Sequence, residues 1–172
     1  MTSPLVFRMA EGNLQTEFGK LKVTIYNDGQ VEATVLQTLE LNNTRPVHLR
    51  IQSTCITGHY FNSTECSCKE DSDSFQNYIS ANGNGLLILL NQEGRANGNV
   101  AHISSQKLKE DGATQDEAYL RLGFPKDSRD YSIVAKILAN LGIKQCLLHS
   151  ENERKLSTLQ KHGISCITFK GK

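Results

Sequence analysis

Three cysteines stand within a short stretch of the chain, as Cys55-x10-Cys66-x-Cys68 in STCITGHYFNSTECSCKE. Thiolates are strong ligands for Zn2+, and a structural zinc is nearly always closed by four protein ligands. No fourth cysteine is nearby, which leaves two readings of the cluster. Three thiolates with one open position would hold a catalytic zinc, whose water ligand has a pKa lowered toward about 7. Alternatively, His48 or His59 closes a structural site, or the thiols bind nothing. In a reducing compartment such crowding fits metal binding or catalysis better than a disulfide framework. The other two of the five cysteines, Cys146 and Cys166, lie among apolar neighbours (KQCLL and SCITF). They read as buried strand residues without chemistry of their own.

Two further segments carry groups suited to a polar ligand. Asn91-Gln92-Glu93-Gly94-Arg95 follows the apolar run Leu86 to Leu90. There a carboxylate could accept two N–H groups from a guanine edge and a guanidinium could grip a phosphate, or the stretch is a solvated loop with an ordinary ion pair. The other is Leu122-Gly123-Phe124-Pro125-Lys126-Asp127-Ser128-Arg129-Asp130-Tyr131. Asp127 and Arg129 stand just before a helical pattern, with Ser128 or Asp130 as a candidate N-cap. Phosphate beside Arg129 would suit a helix start, while the plainer reading is a capping loop with a local ion pair.

Positioning these groups requires a scaffold, and the periodicities indicate one. The patterns LKVTIY (21–26), VEATVL (31–36) and VHLRI (47–51) predict strands, with a turn at Asn27-Asp28-Gly29. Residues 71–81 predict a helix and 85–90 a strand buried on both faces. Behind them, helical patterns cover 99–111, 113–122 and 131–141, the last stopped by Gly142. A strand at 144–148, a helix at 152–161 and a strand at 164–169 complete the chain. A β-rich front followed by βαβ-like units predicts an α+β (mixed α/β) fold, with all 172 residues in one compact domain.

Composition excludes several classes. Lys and Arg number 19 against 18 Asp and Glu, a formal net charge of +1, which argues against a nucleic-acid or anionic-membrane binder. The longest apolar run, LLILL, is too short to span a bilayer, and MTSPLVFRMAEG lacks the features of a signal peptide. The expectation is a cytoplasmic protein.

Taken jointly, the three segments resemble GTP cyclohydrolase II, the zinc enzyme that opens the guanine ring of GTP at the start of riboflavin synthesis. The resemblance runs from about Lys20 to Phe169. The family's zinc motif stands as Cys55, Cys66 and Cys68, its R-Q-E-G-R motif as Asn91 to Arg95, and its L-G-F-x-x-D-x-R-D-[FY] motif as Leu122 to Tyr131. Its T-N-N-P-x-K stretch reads Ser150-Glu151-Asn152-Glu153-Arg154-Lys155. The resemblance implies a zinc-activated water attacking C8 of the purine, a second hydration that releases formate, and Mg2+ accompanying the substrate phosphates. It implies Arg129 as nucleophile on the α-phosphate, expelling pyrophosphate, and Asp127 as proton acceptor. Arg50, Ser53, Glu93, Gly94, Arg95, Ser150 and Lys155 match nucleotide-contacting positions. The implied partners are a small nucleotide substrate, GTP by default, and a second copy of the chain in a homodimer.

Several positions depart from the family pattern. The catalytic tyrosine aligns with Gln106, whose amide can supply no phenolic proton. Glu65 replaces an arginine, Asn91 another, and Glu151 and Glu153 replace Asn and Pro. Gln115 stands for a threonine and Asp71 for a glutamine. The charge changes all run toward negative. The implied alternatives are a divergent paralogue with a different nucleotide or nucleobase, a reaction that stops at the formamide, or a relative that binds without catalysis.

Overall fold

The computed structural model describes residues 5–170 and begins with a strand that the periodicity does not predict. β1 (Phe7–Thr16) is exposed almost throughout, so neither face selects an alternating pattern. It is held by antiparallel pairing with β2 (Gly19–Asn27), with a bulge between Arg8 and Ala10. β2 turns into β3 (Glu32–Gln37) at the expected signal. Asn27 Oδ1 accepts from the Gly29 amide at 2.7 Å, Asp28 Oδ1 accepts from Val31 at 2.9 Å, and Gly29 takes φ 93°.

From there the sheet becomes parallel. β4 (Val47–Ser53) runs parallel to β5 (Gly85–Leu90) on one side. On the other it runs parallel to β6 (Gln145–Leu148), which pairs in turn with β7 (Ser165–Thr168). The seven strands form one mixed sheet in the order β1-β2-β3-β5-β4-β6-β7. The helices are α1 (Ile56–His59), α2 (Cys68–Asn82), α3 (Gly98–Glu110), α4 (Gln115–Arg121), α5 (Ser132–Asn140) and α6 (Glu153–Lys161). The mixed α/β expectation holds. Among the described residues no helix is long and apolar enough to cross a membrane.

β5, with sequence GLLILL, explains the layering. Successive strand residues point to opposite faces. Leu86, Ile88 and Leu90 enter the large core with Val134, Ile137 and Leu138 of α5, while Leu87 meets Phe75 and Ile79 of α2. α2 starts three residues before the predicted helix, because Glu70 and Asp71 in its first turn complement the positive helix end. Cys68 is therefore a helical residue. Cys146 and Cys166 are buried register partners on β6 and β7, as read from their apolar settings.

Beside Arg50, an aromatic cluster packs α2 against the β4, β6 and β7 side of the sheet. His48 Nδ1 lies 2.9 Å from His149 Nε2, Tyr78 Oη lies 3.2 Å from His48 Nε2, and His149 stacks on Phe169 at 4.4 Å. Burial, with His48 and Arg50 nearby, pushes the His149 imidazole down to about 4.

Two predictions come from this packing. A Cβ at Gly85 would stand 2.3 Å from Ile79 Cγ2 and 3.1 Å from the His48 carbonyl, so Gly85→Ala should cost about 1–3 kcal/mol, read from the urea midpoint. The His149 value lies below its ordinary 6.5, so the neutral ring favours the folded state. That contribution is present above pH 6.5 and lost as pH falls through about 4. Urea midpoints across this window should decline, and the decline should flatten in His149→Gln.

Candidate active site

The parallel strands β5, β4 and β6 lie side by side, and their carboxyl ends feed the cysteine segment, Asn91–Arg95 and the Ser150–Lys155 stretch. Leu122–Tyr131 joins α4 to α5 and is tied to the β5 end by the Ser128 amide on the Arg95 carbonyl at 3.0 Å. β4 leads into Thr54–Cys68, β5 into Asn91–Ala96, and β6 into His149–Asn152. Ligands of open α/β sheets bind outside such strand ends. The fold therefore gathers at one edge what the sequence spreads over about a hundred residues.

Cys55 caps α1, and its Sγ accepts from the Gly58 amide at 3.4 Å. Its sulfur lies 3.8 Å from Cys66 Sγ, and the three thiol sulfurs of Cys55, Cys66 and Cys68 all fall within 4.8 Å of one another. Gly58 makes room for them, since a Cβ there would approach Cys66 Sγ to 2.8 Å and Cys55 Sγ to 3.4 Å. Burial, together with the neighbouring thiols, pushes the Cys68 thiol well up. Three crowded sulfurs, with a helix amide aimed at one of them, fit a soft divalent cation. Neither histidine closes the set. His59 Nδ1 accepts from the Cys55 amide at 3.3 Å, its Nε2 lies 3.3 Å from the Cys68 carbonyl, and His48 belongs to the aromatic cluster.

Glu93 is 9% exposed and joins this loop to the next. Its Oε2 accepts from the Ile56 amide at 2.7 Å. Its Oε1 meets His102 Nδ1 at 2.7 Å and the Gly94 amide at 3.1 Å. Beyond it, Gly94, Arg95 and Ala96 all take positive φ, of 59°, 58° and 65°. Consecutive left-handed residues are strained and persist where surroundings hold them. Here the Ser128 amide donates to the Arg95 carbonyl at 3.0 Å, and Asn97 Nδ2 donates to Pro125 O at 2.9 Å. Cys55, Ile56, Asn91, Glu93 and Asn99 edge a cavity of about 420 Å3 whose floor is the apolar face of β2, β3 and β5.

Charged groups line the neighbouring wall. Arg129 grips Asp127 in bidentate fashion, Nε to Oδ1 at 2.9 Å and Nη2 to Oδ2 at 2.6 Å, and Arg154 reaches the same carboxylate at 2.8 Å. Burial would raise the Asp127 carboxyl, but the Arg129 hydrogen bonds outweigh it and hold it down at about 2. The N-cap of α5 is Tyr131 rather than the anticipated Ser128 or Asp130, and Asp130 Oδ1, one residue outside the cap, instead accepts from the Ser132 amide at 3.0 Å. Lys155 donates to the Ile51 carbonyl at 2.8 Å, and burial beside Arg50 and Arg129 lowers its amine to about 8. Arg50 pairs with Asp71 at 2.9 Å and Arg95 with Asp116 at 2.5 Å. Ser53 Oγ is buried without a hydrogen-bond partner among the described residues, and Ser150 Oγ accepts from the Asn152 amide at 3.3 Å. All twelve residues singled out by sequence thus lie on or beside the three strand ends.

The departures from the family pattern have specific places. Glu65 pairs with Lys109 at 2.9 Å, and Gln106 Oε1 accepts from the same ammonium at 3.1 Å. Glu151 and Glu153 are exposed. Gln115 donates to Ser105 Oγ at 2.9 Å. Sequence reasoning missed His102 and Asp116 as partners of Glu93 and Arg95. Asp116 sits inside the Thr114–Glu117 capping box and carries only the signal of an ordinary first-turn acid. It also missed Tyr119, a buried phenol whose Oη would lie 3.3 Å from a Cβ on Gly94.

Comparison with known proteins places this arrangement. A family model described as GTP cyclohydrolase II matches residues 7–169, so the likeness extends to β1. The chain is 40% identical over 170 residues to the riboflavin biosynthesis protein RibBA of Thermotoga maritima, a match covering 96% of this chain and 42% of that protein. It is 37% identical over 161 residues to GTP cyclohydrolase-2 of Histophilus somni strain 2336, covering 92% and 74% respectively. For RibBA of Bacillus subtilis the values are 37%, 94% and 41%. The chain thus spans about two fifths of the length of its RibBA relatives. The crystal structure of RibBX, a two-domain 3,4-dihydroxy-2-butanone 4-phosphate synthase from A. baumannii, is similar in fold, with a TM-score of 0.51, 15% identity, and coverage of 97% of this chain and 40% of that one. With the family pattern spanning nearly every strand and helix that carries the site, the chain belongs to the GTP cyclohydrolase II family of hydrolases.

Proposed function

We propose that this protein is a zinc-dependent cyclohydrolase that opens the imidazole ring of a purine nucleotide by hydrolysis. One observation carries the proposal. Three thiol sulfurs converge within 4.8 Å, with no fourth protein ligand among the described residues, and Cys55 also walls the cavity shared with Glu93. When bound to Cys55, Cys66 and Cys68, zinc supplies a water of lowered pKa as nucleophile for C8 of the ring.

The chain's own residues hold the substrate against that attack. The cavity's apolar floor suits a flat heterocycle, and its polar edge of Glu93 and Asn91 suits the heterocycle's N–H and oxygen groups. Ser53, with its unengaged hydroxyl, and Arg50, Gly94, Arg95, Ser150 and Lys155 contact the remainder of the nucleotide. Asp127 stays ionised across the neutral range, as its carboxyl near 2 requires. It pairs with the Arg129 guanidinium, which that ion pair keeps protonated and which would hold the α-phosphate while pyrophosphate leaves. Mg2+ accompanies the substrate phosphates, GTP as the family's substrate is the default against which other purine nucleotides are compared, and two copies of the chain associate in the cytoplasm. The amide of Gln106, occupied by Lys109, offers no acidic proton for the second hydration. This supports a reaction that ends at the formamide.

The test is incubation of the zinc-loaded protein with guanine nucleotides and Mg2+, with products read by mass spectrometry. A ring-opened product is expected, and its formyl carbon reports whether the second hydration follows. An intact ring with every guanine nucleotide, at one bound zinc per chain, would overturn the proposal. Cys66→Ser should lower bound zinc and reduce turnover by more than about 100-fold, beyond the effect usual for residues behind the ligands. A fully active, zinc-free Cys66→Ser would be equally fatal.

A further inference from the structure

The charges around the cleft define the substrate more narrowly, given the purine-opening activity proposed above. Guanidinium groups are what a polyphosphate needs, because each can grip phosphate oxygens through two N–H bonds. Four of them gather at the strand ends, and each already faces a carboxylate of the same chain. Arg50 lies 2.9 Å from Asp71, Arg95 lies 2.5 Å from Asp116, and Arg129 and Arg154 converge on Asp127 at 2.6 and 2.8 Å. Two lysines at the rim are engaged as well, Lys109 by Glu65 at 2.9 Å and Lys126 by Asp116 at 3.8 Å. Lys155 donates to a backbone carbonyl. Even the first amides of α6, those of Arg154 and Lys155, are taken by Asn152 Oδ1 at 3.0 and 3.3 Å.

Asp71 and Asp116 differ from Asp127 in one respect. Their side chains are 44% and 45% exposed, against 19% for Asp127, so an entering ligand meets them in solvent, still paired to the arginines it would recruit. A triphosphate would have to displace both from their arginines and then lie beside two fixed negative charges. Discrimination by a repulsive group works in this way, penalising the more highly charged ligand while leaving the less charged one untouched. A ligand with fewer phosphates recruits fewer of these arginines and so displaces fewer carboxylates. We infer that Asp71 and Asp116 are specificity-determining residues that set this site for a purine nucleoside or nucleoside monophosphate and against triphosphates.

The experiment compares guanosine, GMP, GDP and GTP as substrates of the zinc-loaded full chain, in parallel with calorimetric titration of tripolyphosphate alone. The wild type should favour GMP over GTP in kcat/KM by about tenfold or more, which corresponds to about 1.4 kcal/mol. Asp71→Asn and Asp116→Asn should each shift that ratio toward GTP, and the double variant should bind tripolyphosphate at least about tenfold more tightly than the wild type. Asp116→Glu, which keeps the charge, should retain the wild-type ratio. A wild type that prefers GTP, or a ratio unmoved in both Asn variants, would overturn the inference. Should no guanine compound be opened by any form, the purine reading fails, and tripolyphosphate decides the charge inference alone. A gain in the double variant upholds it, and no gain overturns it.

Discussion

One nearly buried carboxylate couples the parts of this molecule that do chemistry. Glu93 accepts from the first amide of α1, from the amide of its own turn and from His102 on α3. A buried charge is tolerable only when its lone pairs are filled, and loss of any one donor leaves a costly remainder. The donors therefore stay where they are. Ile56 directly follows Cys55, so the same contact fixes the first thiol relative to the end of β5. The left-handed turn Gly94–Arg95–Ala96 is held from the other side by the Asp127–Arg129 loop. Metal site, turn and charged wall consequently form one mechanical unit.

That unit is electrostatically self-contained. Asp127 orders two arginines, and the Glu65–Lys109–Gln106 group seals the rim between the thiol loop and α3. Charge-assisted contacts of this kind hold side chains in place before any ligand arrives. They also mean that a ligand competes with existing partners rather than with water. The cost of entry then depends on how many of those partners the ligand must replace.

The sequence is informative wherever burial imposes a period. β2, β3 and β4 alternate because one face is covered more than the other, and β5 reads as a continuous apolar run because both are. β1 has no covered face and so leaves no trace in the pattern. The start of α2 was misplaced because its first turn is chosen by charge, not by apolar spacing. The thiol cluster was legible because its members are close along the chain. The convergence of the three loops was not legible from residue pattern alone, since it depends on β4 pairing with β6 about a hundred residues away. Charge was half legible. The drift of the departing positions toward negative charge is visible, yet Glu65, Glu151 and Glu153 face a lysine or solvent. Asp116, hidden in a capping box, meets Arg95 instead.

The contrast between a local thiol cluster and a long-range sheet bears on when the protein acquires its metal. Cys55, Cys66 and Cys68 occupy a single short segment, so an unfolded or nascent chain retains much of their chelating power. Only the difference in affinity between the open segment and the folded site then contributes to folding free energy. That difference is smaller than for a centre assembled from distant strands. Synthesis proceeds from the N-terminus, and the whole thiol segment emerges long before residues 145–148 and 165–168 complete the parallel sheet. Metal loading and sheet closure are thus separable events, and the ion can be in place as the cleft forms around it.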